Sequence, residues 1–272
     1  MSIHSSITEK KYKKLSIQVS LDGISFCVFD TLQHSVLTVQ SINFADFPKE
    51  SKVEDHIWKT FLNHKELTKT YDEVVVIHNN NLNTFVPGAV FDEQFLGSYL
   101  QYNTKVFETD FFAFDELENY EMNNVYIPYV NINNYLLDQF ETFNYKQTNS
   151  ILVSKVLDIS KNREEKLVFV HFSATKFEII VVQNQKLLFF NSFDYKTKED
   201  FIYYLLFTAE QLKLNPEHFN MYLLGEISEE DELFKIAYQY VRNISLLDVS
   251  ELQKHNDLSQ AENLKHFILL QS

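Results

Sequence analysis

The sequence predicts an α/β protein with mixed sheets flanked by helices, and the clearest sign is the stretch from residue 166 to residue 226. Three apolar runs in this stretch are joined by short polar segments that are typical of hairpins. A helical pattern follows, in which Phe201, Leu205 and Ala209 share one face. One more apolar run then ends at Gly225. The predicted strands are residues 167–172, 177–182, 186–193 and 219–224.

The same order of elements is predicted nearer the start of the chain. Asp22-Gly23 is a strong hairpin signal, and a helix with Val53, Ile57 and Phe61 on one face follows the third strand. Corresponding elements of the two stretches lie about 150 residues apart, which indicates an ancient duplication. The alternative is coincidence between two unrelated α/β domains. The predicted strands of this earlier stretch are residues 15–20, 24–29, 35–44 and 74–77.

The same patterns predict the remaining segments and the domain boundaries. Helices are expected at residues 91–102, 132–140, 150–159 and 229–240, and short strands at 125–128, 143–146, 244–247 and 267–270. Residues 110–124 have little periodicity and are predicted to form a loop or extension. The charged segment 161–165 is typical of a linker. The predicted domains are a ragged N-terminus over 1–14, a first half over 15–160 and a second half over 161–272.

Composition and charge exclude several classes of protein. Hydrophobic residues make up 45% of the chain, which indicates a folded protein, and no apolar run approaches the roughly 20 residues of a membrane span. The formal charge of −14 disfavours nucleic-acid binding, because phosphates have to be neutralised by Lys and Arg. Cys27 is the single cysteine, so no intramolecular disulfide forms and a cytoplasmic location is expected. The expected partner is a cytoplasmic protein or a second copy of the chain.

Motifs that carry chemistry are scarce. The chain has four glycines, whereas phosphate-binding loops need glycine where backbone amides approach the ligand. The sequence contains no P-loop, dinucleotide fingerprint or zinc motif, so no metal site is expected. His78 and His171 are candidates for a ligand site, with a structural role as the alternative. Cys27 is predicted to be a buried apolar residue.

An aromatic and acidic segment has two possible roles. Phe107, Phe111, Phe112 and Phe114 lie close together in the chain without helical or strand periodicity. Such residues either fill a core or form a docking surface for another protein. The role of the segment 107–121 is left open between these two.

In its order of elements the chain resembles the actin-like ATPase superfold, whose members pair two ribonuclease-H-like halves around a nucleotide cleft. The residues that carry the resemblance are 167–193, 200–214 and the strand Tyr222-Leu223-Leu224 ending at Gly225. The chain is also similar to an uncharacterised family of Bacteroidetes proteins, domain of unknown function 3822. The resemblance implies a duplicated ribonuclease-H-like fold over nearly all the chain after Lys14.

The chain departs from the superfold where the phosphate chemistry would lie. The superfold has an aspartate at the end of the first strand of each half and a glycine-rich turn after it. The matching positions of the first half are Gln18 and Ser20, with Asp22-Gly23 displaced beyond them. In the second half they are His171 and Ser173, followed by Ala174 and Thr175. Of the implied nucleotide site, Gly225 alone stands in its expected place.

The function predicted from these departures is that of a non-catalytic binding or scaffold protein, with no catalytic residue, cofactor or metal. The alternative is a divergent nucleotide-binding protein or ATPase that uses ATP and Mg²⁺. That alternative predicts that Gly225→Trp abolishes nucleotide binding and leaves the fold intact. A small-molecule kinase is a third option, but the sequence offers no aspartate to act as its base. The nucleotide-binding residues under the alternative are Ser20, Asp22, Gly23, Ser173, Ala174, Thr175 and Gly225.

Overall fold

A computed structural model describes residues 10–46 and 52–272. It contains thirteen strands and nine α-helices over these residues. The strands are β1 (Lys13–Val19), β2 (Gly23–Asp30), β3 (Ser35–Asn43), β4 (Glu73–His78), β5 (Asn83–Pro87), β6 (Ala113–Leu117), β7 (Met122–Tyr126), β8 (Asn144–Gln147), β9 (Leu167–Phe172), β10 (Lys176–Gln183), β11 (Lys186–Asp194), β12 (Asn220–Gly225) and β13 (Asn243–Leu246). The helices are α1 (Val53–Asn63), α2 (Leu96–Leu100), α3 (Val130–Phe140), α4 (Thr148–Ile159), α5 (Lys198–Gln211), α6 (Glu232–Tyr240), α7 (Ser250–Gln253), α8 (Gln260–Lys265) and α9 (Phe267–Leu270).

The contacts divide the chain into two compact units. Unit 1 takes in the chain up to His78 together with Tyr129–Lys146, and unit 2 takes in Asn79–Pro128 together with Gln147–Ser272. The predicted boundary between residues 160 and 161 differs from this division. Helix α4 contacts β6, β10 and β11 of unit 2. These contacts join residues that are distant in the chain, so they cannot be predicted from the composition of the linker.

Two five-stranded mixed sheets have the same strand order, which confirms the predicted α/β class. One sheet is ordered β3-β2-β1-β4-β8 and the other β11-β10-β9-β12-β13. In each, the first three strands in the chain are antiparallel and the next strand is parallel to the first of them. The right-handed crossover helix that such a parallel pair requires is α1 in unit 1 and α5 in unit 2.

The core of unit 2 lies between its five-stranded sheet and the helices α5 and α6. Alternate residues of β9, namely Val168, Val170 and Phe172, point to this side and are buried with Phe177 and Phe201. The neighbouring residues of the same strands point to the opposite face because side chains alternate along a strand. Phe169, His171 and Glu178 therefore share the second face of the sheet, and all three are buried.

Several expectations about the chain between and beyond the two sheets are wrong. Residues 110–124 are not a loop, because β6 and most of β7 lie there and form a third sheet of order β5-β7-β6. Residues 267–270 form helix α9 rather than a closing strand, since a run of four buried apolar side chains fits either element. The helix predicted over 91–102 is limited to α2, preceded by short 3₁₀ turns.

The predicted ragged N-terminus of residues 1–14 includes residues that belong to the first strand. Lys13 and Lys14 begin β1, and the backbone N–H groups of Lys11 and Lys13 donate to the carboxylate of Asp72 at distances of 3.0–3.1 Å. Residues 1–9 lie outside the described part of the chain. In residues 10–46 and 52–272, no helix combines the length and the apolar character that crossing a membrane requires.

Candidate functional site

The turn that joins β1 to β2 in unit 1 is closed by its own polar groups. The Ser20 backbone N–H donates to the Gly23 carbonyl at 2.9 Å, and the Ser20 hydroxyl donates to the same oxygen at 3.1 Å. The Asp22 backbone N–H donates to Ser20 Oγ at 3.2 Å. Ser20, Asp22 and Gly23 are thus brought together, but the amides of Ser20 and Asp22 already have partners within the turn.

The turn that joins β9 to β10 in unit 2 is closed in a similar way. The Ser173 backbone N–H donates to the Lys176 carbonyl at 2.9 Å, and the Ser173 carbonyl accepts from the Tyr195 hydroxyl at 3.3 Å. The Thr175 carbonyl accepts from the Tyr195 backbone N–H at 3.2 Å. A phosphate site needs several backbone N–H groups that converge on one point. Ser173, Ala174 and Thr175 form a compact hairpin turn whose first amide is already used.

Close packing of two strands explains the glycine at position 225, which lies beside this turn. It ends β12, pairs with Phe172 of β9 and has a positive φ of 91°. A Cβ at this position would lie 2.2 Å from the Phe172 carbonyl oxygen. Glycine is therefore required by the close approach of two strands, whatever ligand is bound. The expectation that Gly225→Trp leaves the fold intact is wrong, because no side chain fits there.

A buried charged cluster occupies the second face of the unit 2 sheet. His171 Nδ1 lies 2.8 Å from Glu178 Oε2, and Lys176 Nζ lies 3.5 Å from Glu178 Oε1. The Ser192 hydroxyl donates to Glu178 Oε1 at 3.4 Å, and Lys176 Nζ donates to Asn79 Oδ1 at 3.3 Å. Burial alone raises the pKa of Glu178, but the hydrogen bond with His171 and the charge of Lys176 hold it below its ordinary value. Glu178 is therefore a buried carboxylate that is paired with His171 and Lys176.

His78 has a structural position at the end of β4 in unit 1. Its side chain is fully buried, its Nδ1 accepts from the Tyr129 backbone N–H at 3.2 Å, and its ring packs against Tyr129 and Tyr145. Burial lowers the pKa of His78 from 6.5 to about 4. The ring is neutral at pH 7 and contributes to the core.

This pKa predicts an acid-sensitive unit 1. Unfolded His78 takes up a proton below pH 6.5, whereas folded His78 stays neutral down to about pH 4. The unfolded state therefore binds more protons in this range, and the free energy of unfolding falls with the pH by about 2 kcal/mol between about pH 7.5 and about pH 5. Urea unfolding of the wild type and of His78→Gln at both pH values measures this contribution. A variant with the same pH dependence as the wild type would contradict it.

Cys27 and the aromatic segment add no catalytic group. Cys27 is fully buried in β2, and burial raises the pKa of its thiol, so a thiolate is not formed near neutral pH. Phe112 and Phe114 pack in a small core with the three-stranded sheet, whereas about half of the surface of Phe107 and of Phe111 is exposed. The core role is therefore observed for Phe112 and Phe114, and a docking role for Phe107 and Phe111 stays a prediction. In the described part of the chain, no three His, Cys, Asp or Glu side chains are placed to hold a metal ion.

A groove of about 490 Å³ lies in unit 2 beside the charged cluster. One wall is β5 and the other is residues 185–192 around β11. Asn81, Asn103 and residues 120–122 complete the lining. The rings of Phe85 and Phe190 meet across it with their centroids 4.9 Å apart. Ser192 belongs both to the lining and to the Glu178 cluster, and the lining combines apolar with polar side chains. This volume falls within the range of ligand-binding clefts.

A buried amide network fixes the wall that β5 forms. Asn83 Nδ2 donates to Asn124 Oδ1 at 2.8 Å, and Asn149 Nδ2 donates to Asn83 Oδ1 at 3.0 Å. Asn124 Nδ2 donates to Ser150 Oγ at 2.8 Å, which ties β7 to helix α4. These hydrogen bonds connect β5 to β7 and to helix α4. The sequence signal that could have pointed to the groove was the clustering of asparagines at residues 79–83 and 123–124.

Comparison with known proteins assigns a family and confirms the fold. The family model described as "Protein of unknown function (DUF3822)" matches residues 4–244. A Bacteroides thetaiotaomicron VPI-5482 protein, described as having an actin-like ATPase fold and unknown function, superimposes with a TM-score of 0.82. It is 19% identical, and the match covers 97% of each chain. No curated protein matches this chain.

A second solved structure of the same fold class is the PilM-PilN type IV pilus biogenesis complex. The TM-score is 0.57 at 12% identity, and the match covers 94% of this chain and 96% of that chain. Identities this low establish the fold and nothing further. The predicted actin-like ATPase fold and the predicted likeness to the family of domain 3822 are both confirmed.

Proposed function

Because this chain belongs to the DUF3822 family, whose function is unknown, we propose its role from the site itself: it is a non-catalytic protein-binding scaffold. The observation that carries the proposal is the pair of self-closed turns. The backbone N–H of Ser20 donates to the Gly23 carbonyl, and the backbone N–H of Ser173 donates to the Lys176 carbonyl, at 2.9 Å in each case. Each bond closes the hairpin turn to which the serine belongs. A phosphate would have to break these bonds before it could be held.

The absence of suitable carboxylates supports the same proposal. Mg²⁺-dependent phosphate chemistry needs acidic side chains that hold the metal and orient water. His171 and Gln18 stand at the strand positions where the superfold has aspartate, and the nearby Glu178 is committed to His171 and Lys176. Glu178, the buried carboxylate beside the turn of unit 2, is therefore already paired and is not free to hold a metal ion.

The groove of unit 2 supplies the surface through which such a scaffold acts. Its lining combines backbone edges, amide side chains and phenylalanine rings, which are typical of surfaces that hold another protein. The PilM-PilN complex provides an example of this fold within a two-protein assembly. The partner is a cytoplasmic protein or a second copy, and the lone buried Cys27 fits a reducing compartment. The shared strand order of the two sheets supports an origin by duplication.

Calorimetric titration with ATP and with ADP, each with and without Mg²⁺, tests the non-catalytic part of the proposal. We expect no binding heat in any of the four titrations, because the two turns offer no free cluster of amides. Binding at micromolar strength would overturn the proposal and favour the divergent ATPase instead. Ser173→Pro, which removes the amide that closes the unit 2 turn, would then identify whether that turn is the site.

A further inference from the structure

Two strands border the groove with free edges. β5 ends the three-stranded sheet and β11 ends the five-stranded sheet, so among the described strands each has one neighbour only. A free edge presents backbone N–H and C=O groups that can pair with another chain, and proteins normally protect it with lysine, proline or a bulge. Lys186 and a bulge at Leu188 protect only the start of β11. The stretch from Phe189 to Ser192 has no such protection.

The backbone N–H and C=O groups of Phe190 and Ser192 point away from β10, on the side of the groove. The Ser192 N–H donates to Asn191 Oδ1 at 3.0 Å and so faces away from β10. Along an antiparallel strand, the backbone N–H and C=O groups of successive residues point alternately toward the paired strand and away from it. The N–H and C=O of Phe190, two residues before Ser192, therefore also point away from β10. Phe190 also lines the groove. Its backbone groups are thus available at the point where an added strand would pair.

We propose that the groove binds an extended, uncharged segment of a partner protein, which pairs with β11 at Phe190 as an additional strand. This inference rests on the proposed scaffold function and names the chemistry of its partner. Pairing along the unprotected stretch from Phe189 to Ser192, which has four residues, would engage about 14 Å of extended chain. Main-chain bonds supply affinity in this mode, and alternate side chains supply specificity.

The shape of the groove favours a single segment over a second copy of the chain. A second copy that paired through its own β11 would bring along its own β5, because Phe85 and Phe190 are in ring contact within each copy. Those two walls would meet before the strands could pair. An isolated extended segment has no such wall and enters the groove from its open side.

The charge of the lining favours an uncharged segment. Glu121 and Lys186 are the ionisable charged side chains of the lining, and they are of opposite sign. A further charge buried beside the rings of Phe85 and Phe190 would have no partner there, which is unfavourable. The amides of Asn81 and Asn83 in the lining suit neutral hydrogen-bonding side chains. The segment therefore carries apolar side chains where it contacts Phe85 and Phe190, and amide or hydroxyl side chains where it contacts the asparagines.

Selection of short linear peptides from a displayed random library on the full chain tests the inference. We expect enriched peptides that are uncharged, apolar at alternate positions and weakened about tenfold or more by Leu188→Arg, which places a charge at the groove. Leu188 has 41% of its surface exposed, so this change does not disturb the core. The matched control is Tyr203→Arg on helix α5, where the side chain is 62% exposed and outside the groove, and it is expected to leave binding unchanged.

Methylation of single backbone nitrogens in an enriched peptide gives a second readout that needs no protein variant. Strand pairing predicts that methylation at every second residue abolishes binding and that methylation at the intervening residues is tolerated. A uniform response, an unchanged affinity for Leu188→Arg or the lack of any enriched peptide would overturn the inference. Dimerisation that Leu188→Arg abolishes would overturn it as well, since the occupant would then be a second copy. If no peptide behaves as expected and the ATP and ADP titrations show no binding, the inference about the groove is wrong and the non-catalytic proposal remains. If a nucleotide binds, the non-catalytic proposal is wrong, and the peptide experiments still decide the inference about the groove.

Discussion

Gly225→Ala is expected to lower the free energy of unfolding by about 2–5 kcal/mol. An alanine in the left-handed region is strained by about 1–2 kcal/mol, and its Cβ would lie 2.2 Å from the Phe172 carbonyl oxygen. Overlap with backbone cannot be relieved by a rotamer change, so β9 and β12 would have to separate at their ends. Such a shift adds about 1–3 kcal/mol. The loss is expected in unit 2, whose core these strands form.

Thermal or urea unfolding of the purified variant measures this loss. The matched control is Gly97→Ala in helix α2, where the added Cβ would lie 3.1 Å from the ring of Phe112. That ring is a side chain that can move, and alanine is favoured over glycine within a helix by about 1 kcal/mol. We therefore expect a change of about 1 kcal/mol or less for the control. Equal stability of Gly225→Ala and the wild type would show that the close approach of the two strands is not what requires glycine.

Glu178→Leu is expected to have the second large effect, a loss of about 3 kcal/mol or more. The substitution leaves Lys176 and His171 without the carboxylate that lies 3.5 Å and 2.8 Å from them. The side chain of Lys176 is only 15% exposed, so water replaces the lost carboxylate poorly. Removing one partner of a buried ion pair typically destabilises a protein by about 3–5 kcal/mol. Urea unfolding at neutral pH is the measurement.

The double variant Lys176→Met with Glu178→Leu separates charge from packing. It removes both opposite charges of the pair, so we expect it to be more stable than Glu178→Leu alone. Glu232→Leu is the control at the surface, where Glu232 pairs with Lys198 and Lys235 and all three side chains are well exposed. Its effect is expected to be far smaller than that of Glu178→Leu. A double variant less stable than the single one would contradict a role for the buried charge.

Local sequence patterns were sufficient to predict the α/β class and the repeated order of strands and helices. The apolar runs at 74–77 and 167–172 became β4 and β9, since strands buried on both faces have continuous β-branched and aromatic sequences. The turn residues Asp22 and Gly23 likewise marked the hairpin between β1 and β2. Local periodicity is sufficient for such elements because the pattern itself reflects which faces are buried.

Which residues form the candidate site depends on the tertiary structure. The third sheet was missed because β6 and β7 are five-residue strands of mixed polarity, which are too short to show a clear alternating pattern. The groove requires β5 and β11, which lie about 100 residues apart and show no shared motif. The buried pairing of Glu178 with His171 follows from the register of β9 and β10, and Gly225 is explained by the carbonyl of Phe172. A site of this kind has no local sequence pattern, because its residues are far apart in the chain and come close together only in the folded protein.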